Sequence, residues 1–239
     1  MLRIFDARTG ESVVAAPARR ALTRVEAHAP GFDTTALRVL LVADVLFRAL
    51  EVGGTPVWAV LAGEEQVAEL RAGAAALGIR PFEDRSDVGP EPAHTQVIHV
   101  VNRGDGVTGG VRLDVAAVDS VGVPKDVDPT TLRLALLARP RSEPVHLDRA
   151  ALADAGDTLA HWRRSVAAWA RQPSRPVPDA VRHDLRAAWE DDLDVPAVLD
   201  VLRRVETLGG LPDGARFEAY AYADRVLGLE LTREIGSLA

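Results

Sequence analysis

The sequence predicts an α/β domain built on a mainly parallel sheet, followed by an all-α bundle. Apolar strand-like runs alternate with helical periodicities up to about residue 140. The first alternation is a strand, helix, strand unit, whose default is a right-handed parallel crossover. After Pro144 only helical spacing remains. We therefore place the α/β domain at residues 1–144 and the helical bundle at 145–239.

Leu2–Phe5 is a short predicted strand, and Asp6-Ala7-Arg8-Thr9-Gly10 a polar turn. Leu22–Ala27 alternates and is the next strand. Ala29-Pro30-Gly31-Phe32 breaks that pattern before a helix over Ala36–Glu51, with Asp33, Thr34 and Thr35 as candidate caps. This helix is apolar on more than one side, which predicts a position between the sheet and another layer. Gly53-Gly54 end it, and Val57–Leu61 reads as a buried parallel strand. A helix follows over Glu64–Leu77, then a Gly/Pro/Asp-rich loop over Phe82–Pro92. Val97–Val101 is a strand, Val111–Val118 a further one, and the glycine-rich stretch Gly104–Gly110 between them reads as a hairpin turn, since it lacks the arrangement of a phosphate-binding loop. Asp128-Pro129 opens a short helix over Thr130–Ala138.

In the second half, Leu152, Ala155, Leu159, Trp162, Val166 and Trp169 recur at spacings of three and four, giving a long helix capped near Asp148. The two tryptophans fit a bundle core better than a base-stacking platform. Gln172–Pro178 is a proline-stiffened connector. Two helices follow, with apolar faces at Val181, Leu185, Ala188, Trp189 and at Val198, Val201, Leu202, Val205, Leu208. The acidic corner Glu190-Asp191-Asp192-Leu193-Asp194 joins them. Asp194 fits an N-cap and Pro196 the first helical turn. The clustered carboxylates could alternatively take a hard cation. Gly209-Gly210 and a last helix using Phe217, Tyr220, Ala221 and Leu227 complete the bundle.

Composition narrows the function. With 47% hydrophobic and 26% charged residues, the chain is ordinary globular material. It has no cysteine, which excludes disulfides, thiolate metal sites and a cysteine nucleophile. The net charge of -7 offers no general attraction to nucleic acid. No apolar run is long enough for a membrane span, and Met1–Asp6 lacks a signal-peptide pattern, so a cytoplasmic protein is expected. His28, His94 and His99 match no compact ligand spacing, so no metal site is assigned from sequence.

Four segments, in order, carry a resemblance. Trp189-Glu190-Asp191-Asp192-Leu193-Asp194-Val195-Pro196-Ala197-Val198-Leu199 resembles the DDL(D/N)TPxAL corner of cysteinyl-tRNA synthetases and of their paralogue, the mycothiol-pathway ligase that joins cysteine to glucosaminyl-inositol. Asp128–Leu137 is similar to the segment leading out of that family's catalytic domain, and Ala223–Leu229 to the end of its helical domain. Leu37–Leu50 parallels its first catalytic-domain helix. The resemblance implies a class I synthetase-type Rossmann-like domain followed by a helical bundle. The chain ends with the bundle, which favours the ligase-like outline over a full tRNA synthetase.

It also implies where chemistry should sit. The family's His-Ile-Gly-His signature falls on Asp33-Thr34-Thr35-Ala36, with Arg38 retained, and its lysine-rich ATP loop falls nearest Ser120–Asp126, with Lys125 the chain's only lysine. His28 stands at about the place of the first, cysteine, zinc ligand. Asp33, Thr34, Thr35, Arg38 and Lys125 are therefore the candidate nucleotide-contacting residues, while no catalytic residue is assigned. The expectation is a degenerate paralogue acting as a binding or regulatory protein. Its candidate partners are a nucleotide or aminoacyl-adenylate-like ligand, a second copy or another protein, with neither tRNA, membrane nor zinc expected. The alternative is an active ATP-dependent ligase whose phosphate contacts come from arginines such as Arg38 and Arg103, with ATP as cosubstrate.

Overall fold

Among the described residues, five parallel strands form the sheet that the alternating pattern predicts. The computed structural model describes residues 1–17, 22–63, 65–85, 96–122 and 126–237. The chain opens with an antiparallel hairpin of β1 (Arg3–Asp6) and β2 (Glu11–Val14). It then runs through β3 (Thr23–Ala29), α1 (Thr34–Val52), β4 (Val57–Gly63), α2 (Val67–Ala76), β5 (Glu83–Asp84), β6 (Gln96–Asn102) and β7 (Val111–Val115). The sheet order is β5-β4-β3-β6-β7, and every neighbouring pair is parallel. The chain winds outward from β3 to β5, then returns to the other side of β3 to lay down β6. The strand order thus reverses between β3 and β6, which defines a Rossmann-like switch point.

Two expectations are corrected here. Gly104–Gly110 is not a hairpin turn, because β6 and β7 are parallel, with Ile98 beside Val111 and Asn102 beside Val115. The stretch turns the chain back along the sheet, and Gly104, Gly109 and Gly110 supply the positive φ angles this needs. Parallel pairing lets Ile98, Val100, Leu113 and Val115 all be fully buried. Second, the strand over Val111–Val118 is two. After β7 the backbone leaves the sheet, Ala116 N–H donating to Arg141 O, and β8 (Val118–Ser120) pairs instead with β9 (Val145–Leu147).

Between β8 and β9 lies α3 (Pro129–Leu137), capped by Asp128, whose carboxylate accepts from Thr130 and Thr131 N–H. The helical region follows: α4 (Arg149–Trp169), α5 (Asp179–Glu190), α6 (Val195–Thr207) and α7 (Asp213–Leu227). The caps read from sequence are present, Asp148 accepting from Ala151 N–H at 2.8 Å and Asp194 from Ala197 N–H at 3.0 Å. Helix α1 packs on the sheet with one face and on α7 with another, which explains its all-round apolar surface. Trp162 and Trp169 both meet Tyr220 edge-on, at centroid distances of 5.9 and 5.1 Å, and the buried Tyr220 hydroxyl donates to Leu202 O. They are bundle core. Buried apolar residues form one continuous cluster from Leu2 to Leu231. Among the described residues no helix is long and apolar enough to cross a membrane.

Candidate functional site

In open α/β sheets ligands bind beyond the carboxyl ends of the strands, where the order reverses. Here that crevice lies between β3 and β6. Strand alternation sends Val25, Ala27 and Ala29 to one face, where they are fully buried, and Arg24, Glu26 and His28 to the other. The parallel register sets His99 of β6 beside Glu26. Three donor atoms converge on this face, level with the middle of both strands: His28 Nε2 lies 3.0 Å from His99 Nδ1, and these nitrogens lie 3.6 and 3.2 Å from Glu26 Oε2. The trio is the group of histidines and carboxylates that could hold a metal ion among the described residues. Glu26 and His99 are buried, whereas His28 is partly open to solvent.

The surroundings fix the carboxylate. Burial alone works against its ionisation, but hydrogen bonds from His28 and His99 and the charges of Arg24 and Arg85 outweigh that and hold Glu26 well below the usual carboxylate range. Arg24 Nη2 reaches Oε1 at 2.8 Å and Arg85 Nη1 reaches Oε2 at 3.2 Å. On the far side of His99, Arg112 is paired with Asp114 at 2.6 Å. Gly110 closes over the imidazole: a Cβ there would lie 2.7 Å from Val97 O and 3.0 Å from His99 Cδ2. Sequence reasoning noticed both histidines but passed over Glu26. The signal was the alternation Val25-Glu26-Ala27-His28-Ala29, which puts two metal-capable side chains on one face of the strand, opposite the apolar Val25, Ala27 and Ala29.

The residues aligned with the family's ATP signature are engaged within the fold. Asp33 N-caps α1, its carboxylate accepting from Ala36 N–H at 2.6 Å. Thr35 Oγ1 accepts from Val118 N–H, tying α1 to β8. Arg38 is fully buried and donates to the carbonyls of Ala116, Arg139, Pro140 and Glu143. Burial pulls its pKa down to about 10 despite the pull of Glu143. Arg103 donates to Ser142 O. Thr34 lies in the first turn of α1, and Lys125, like His94, lies outside the described residues. A cavity of about 650 Å³ lies between α3, α4 and α6, walled by Arg139, His146, Asp154 and Arg203, and none of the described candidates lines it.

The acidic corner acts as a clasp. Asp192 and Leu193 adopt left-handed backbone conformations between α5 and α6. Asp192 N–H donates to Arg3 O, and its carboxylate accepts from Phe5 N–H at 2.8 Å and from Arg141. Glu190 pairs with the N-terminal amine and with Arg186. These carboxylates are therefore answered by protein donors, which favours the capping reading over the cation site.

Fold and site together describe a Rossmann-like α/β protein with a helical region appended and a polar cluster at its switch point. The family resemblance is supported by comparison with characterised proteins. The chain is 37% identical over 109 residues to an L-cysteine:1D-myo-inositol 2-amino-2-deoxy-alpha-D-glucopyranoside ligase of Streptomyces griseus, a match covering 44% of this chain and 26% of that one. The ligases of the same name from Streptomyces scabiei and Streptosporangium roseum are 35% and 36% identical, over 44% and 45% of this chain and 26% of each relative. These relatives are mycothiol cysteine ligases of the cysteinyl-tRNA synthetase-like family. The chain spans about a quarter of the length of these relatives in the match. No protein-family model matches it.

Proposed function

We propose that this protein keeps the ligase-like fold without ordinary adenylation and works as a binding or regulatory paralogue, alone, as a homodimer or with another protein. One observation carries the reading. The start of the helix after the first sheet strand is the anion site of such folds, because its free amides and the helix dipole attract phosphate. In this chain the Asp33 carboxylate occupies that position and accepts from Ala36 N–H. A phosphate arriving there meets a like charge and a donor already engaged. Arg38 is committed to four carbonyls, and Arg103 donates to Ser142 O.

Thermal unfolding with ATP, magnesium and non-hydrolysable aminoacyl-adenylate analogues tests this, since any ligand of the folded state stabilises it by RT ln(1 + [L]/Kd). The expected result is no nucleotide-dependent shift and no amino-acid-dependent exchange of pyrophosphate into ATP. The second reading, an active ATP-dependent ligase, is favoured by the 37% identity to a named ligase. Cysteine-dependent pyrophosphate exchange would establish it and overturn the first.

A further inference from the structure

We propose that Glu26, His28 and His99 form a binding site for one divalent transition-metal ion of the zinc class, held by two imidazole nitrogens and one carboxylate oxygen. The inference goes beyond the loss of adenylation and is independent of it. It begins with the shape of the donor triangle. Zinc bound at about 2.0–2.1 Å in tetrahedral geometry separates its ligand atoms by roughly 3.3 Å. The three edges here are 3.0, 3.2 and 3.6 Å, so the atoms already stand at the corners of one tetrahedral face. Neutral imidazoles and a carboxylate are a ligand set that zinc and its neighbours accept, and two histidines with one carboxylate leave coordination positions open.

Proton placement gives a second argument. In the absence of an ion, His28 Nε2, His99 Nδ1 and Glu26 Oε2 face one another. The His28–His99 edge can use a single hydrogen, although both nitrogens also face the carboxylate. Both imidazoles donating to Glu26 leaves two N–H groups opposed at 3.0 Å, and one donating leaves a lone pair turned toward Oε2. A cation between the three atoms uses all the inward lone pairs at once.

The support around the trio is also that of a held site. Two ligands come from adjacent central strands in fixed register, and the third is two residues along one of them. Arg24 holds Oε1, leaving Oε2 turned to the imidazoles, the kind of outer contact that orients a metal-binding carboxylate. Gly110 lets the loop close on His99, while the partial exposure of His28 leaves an entry path. Arg85 opposes binding: it reaches Oε2 from a half-exposed position and must swing away when an ion enters. The family resemblance led to no zinc being expected, because this chain has no cysteine to supply thiolates. The residues present offer an all-nitrogen-and-oxygen alternative that requires none.

The test is titration of untagged, chelator-stripped protein with zinc chloride by calorimetry, and with cobalt chloride by visible absorption. One equivalent should bind, with cobalt d–d bands of a tetrahedral or five-coordinate site and no thiolate charge-transfer band. His28→Gln and His99→Gln should each weaken zinc at least about 10-fold, no less than the loss of an outer-shell partner costs. His146→Gln, at the exposed pair with Asp119, should leave affinity unchanged. Arg85→Gln should tighten binding by removing the competing cation. His28 is the partly exposed member, so His28→Gln decides the matter if a change at buried His99 prevents folding. Absence of stoichiometric binding, or equal affinity in wild type and a folded His28→Gln variant, overturns the proposal. Neither outcome bears on adenylation, because no nucleotide is present.

Discussion

Arg133 and Asp44 form a fully buried ion pair, Nη2 to Oδ2 at 2.6 Å, between α3 and α1. The same guanidinium donates to Leu227 O at 2.7 Å and Leu77 O at 2.9 Å, and the same carboxylate accepts from Arg48. Three of the segments that carry the family resemblance, the first helix, the 128–137 stretch and the 223–229 stretch, thus meet at one side chain. Removing the guanidinium takes one of two cations, Arg133 and Arg48, from the buried Asp44 carboxylate and leaves the Leu77 and Leu227 carbonyls without this donor. Arg133→Met should therefore cost about 3–5 kcal/mol. Urea denaturation followed by tryptophan fluorescence should show this as a lowered midpoint.

Gly228 ends α7 at a φ of +61°, and a Cβ there would lie 2.8 Å from Arg133 Nη2. Gly210 has a similar φ of +75° with nothing within 4 Å. Gly210→Ala should cost about 1–2 kcal/mol, the left-handed backbone penalty alone. Gly228→Ala should cost at least about 1 kcal/mol more, because the added methyl also displaces the guanidinium of the buried pair. Equal denaturation midpoints for the two variants would contradict this account of the α7 terminus.

Asp6 fastens the N-terminal hairpin to β7. Its burial opposes ionisation, yet N–H groups of Arg112 and Arg8, the Thr9 hydroxyl and the Arg8 charge together hold its pKa below the usual aspartate value. A depressed carboxylate stabilises the fold above the unfolded-state pKa of about 3.9, and that contribution is lost as pH falls through the folded value. Asp6→Asn should therefore cost about 2 kcal/mol at pH 7, the scale of hydrogen bonds to a charged group. The gap between variant and wild type should narrow steadily below about pH 4. Urea midpoints measured at pH 7, 5 and 3 check both sign and window.

What the sequence made legible was local. Asp33, Asp148 and Asp194 announce their helices because a cap is decided within three residues, and each makes its predicted bond. The parallel sheet followed from the strand and helix alternation. β2 was passed over because Glu11-Ser12-Val13-Val14 is only half apolar and its partner is set by the hairpin. The Gly104–Gly110 stretch looked like a hairpin because a glycine-rich break between apolar runs suits either strand direction, and the choice was made by burial of both strands in the same sheet. The Glu26–His99 meeting was invisible for a related reason. Residues 73 positions apart become neighbours only through the β3–β6 register. Arg38 was retained from the family outline, but its role is set by carbonyls at Ala116 and Arg139–Glu143, far along the chain.

The reading of the α1 terminus gives a prediction that reverses a loss. Asp33→Ser keeps a side-chain acceptor for Ala36 N–H, since serine caps helices about as well as aspartate, but removes the negative charge at the positive end of the helix dipole. Stability should change by less than about 1 kcal/mol. If the charge is what repels phosphate, the variant should now be stabilised against heat by sulfate or pyrophosphate when wild type is not, and the gain should fade as sodium chloride is raised. Asp148→Ser at the start of α4 serves as the control, because α4 follows β9, which lies outside the five-stranded sheet, and should acquire no such response. An unchanged Asp33→Ser variant would place the obstacle to phosphate in the geometry of the crevice instead of the Asp33 charge.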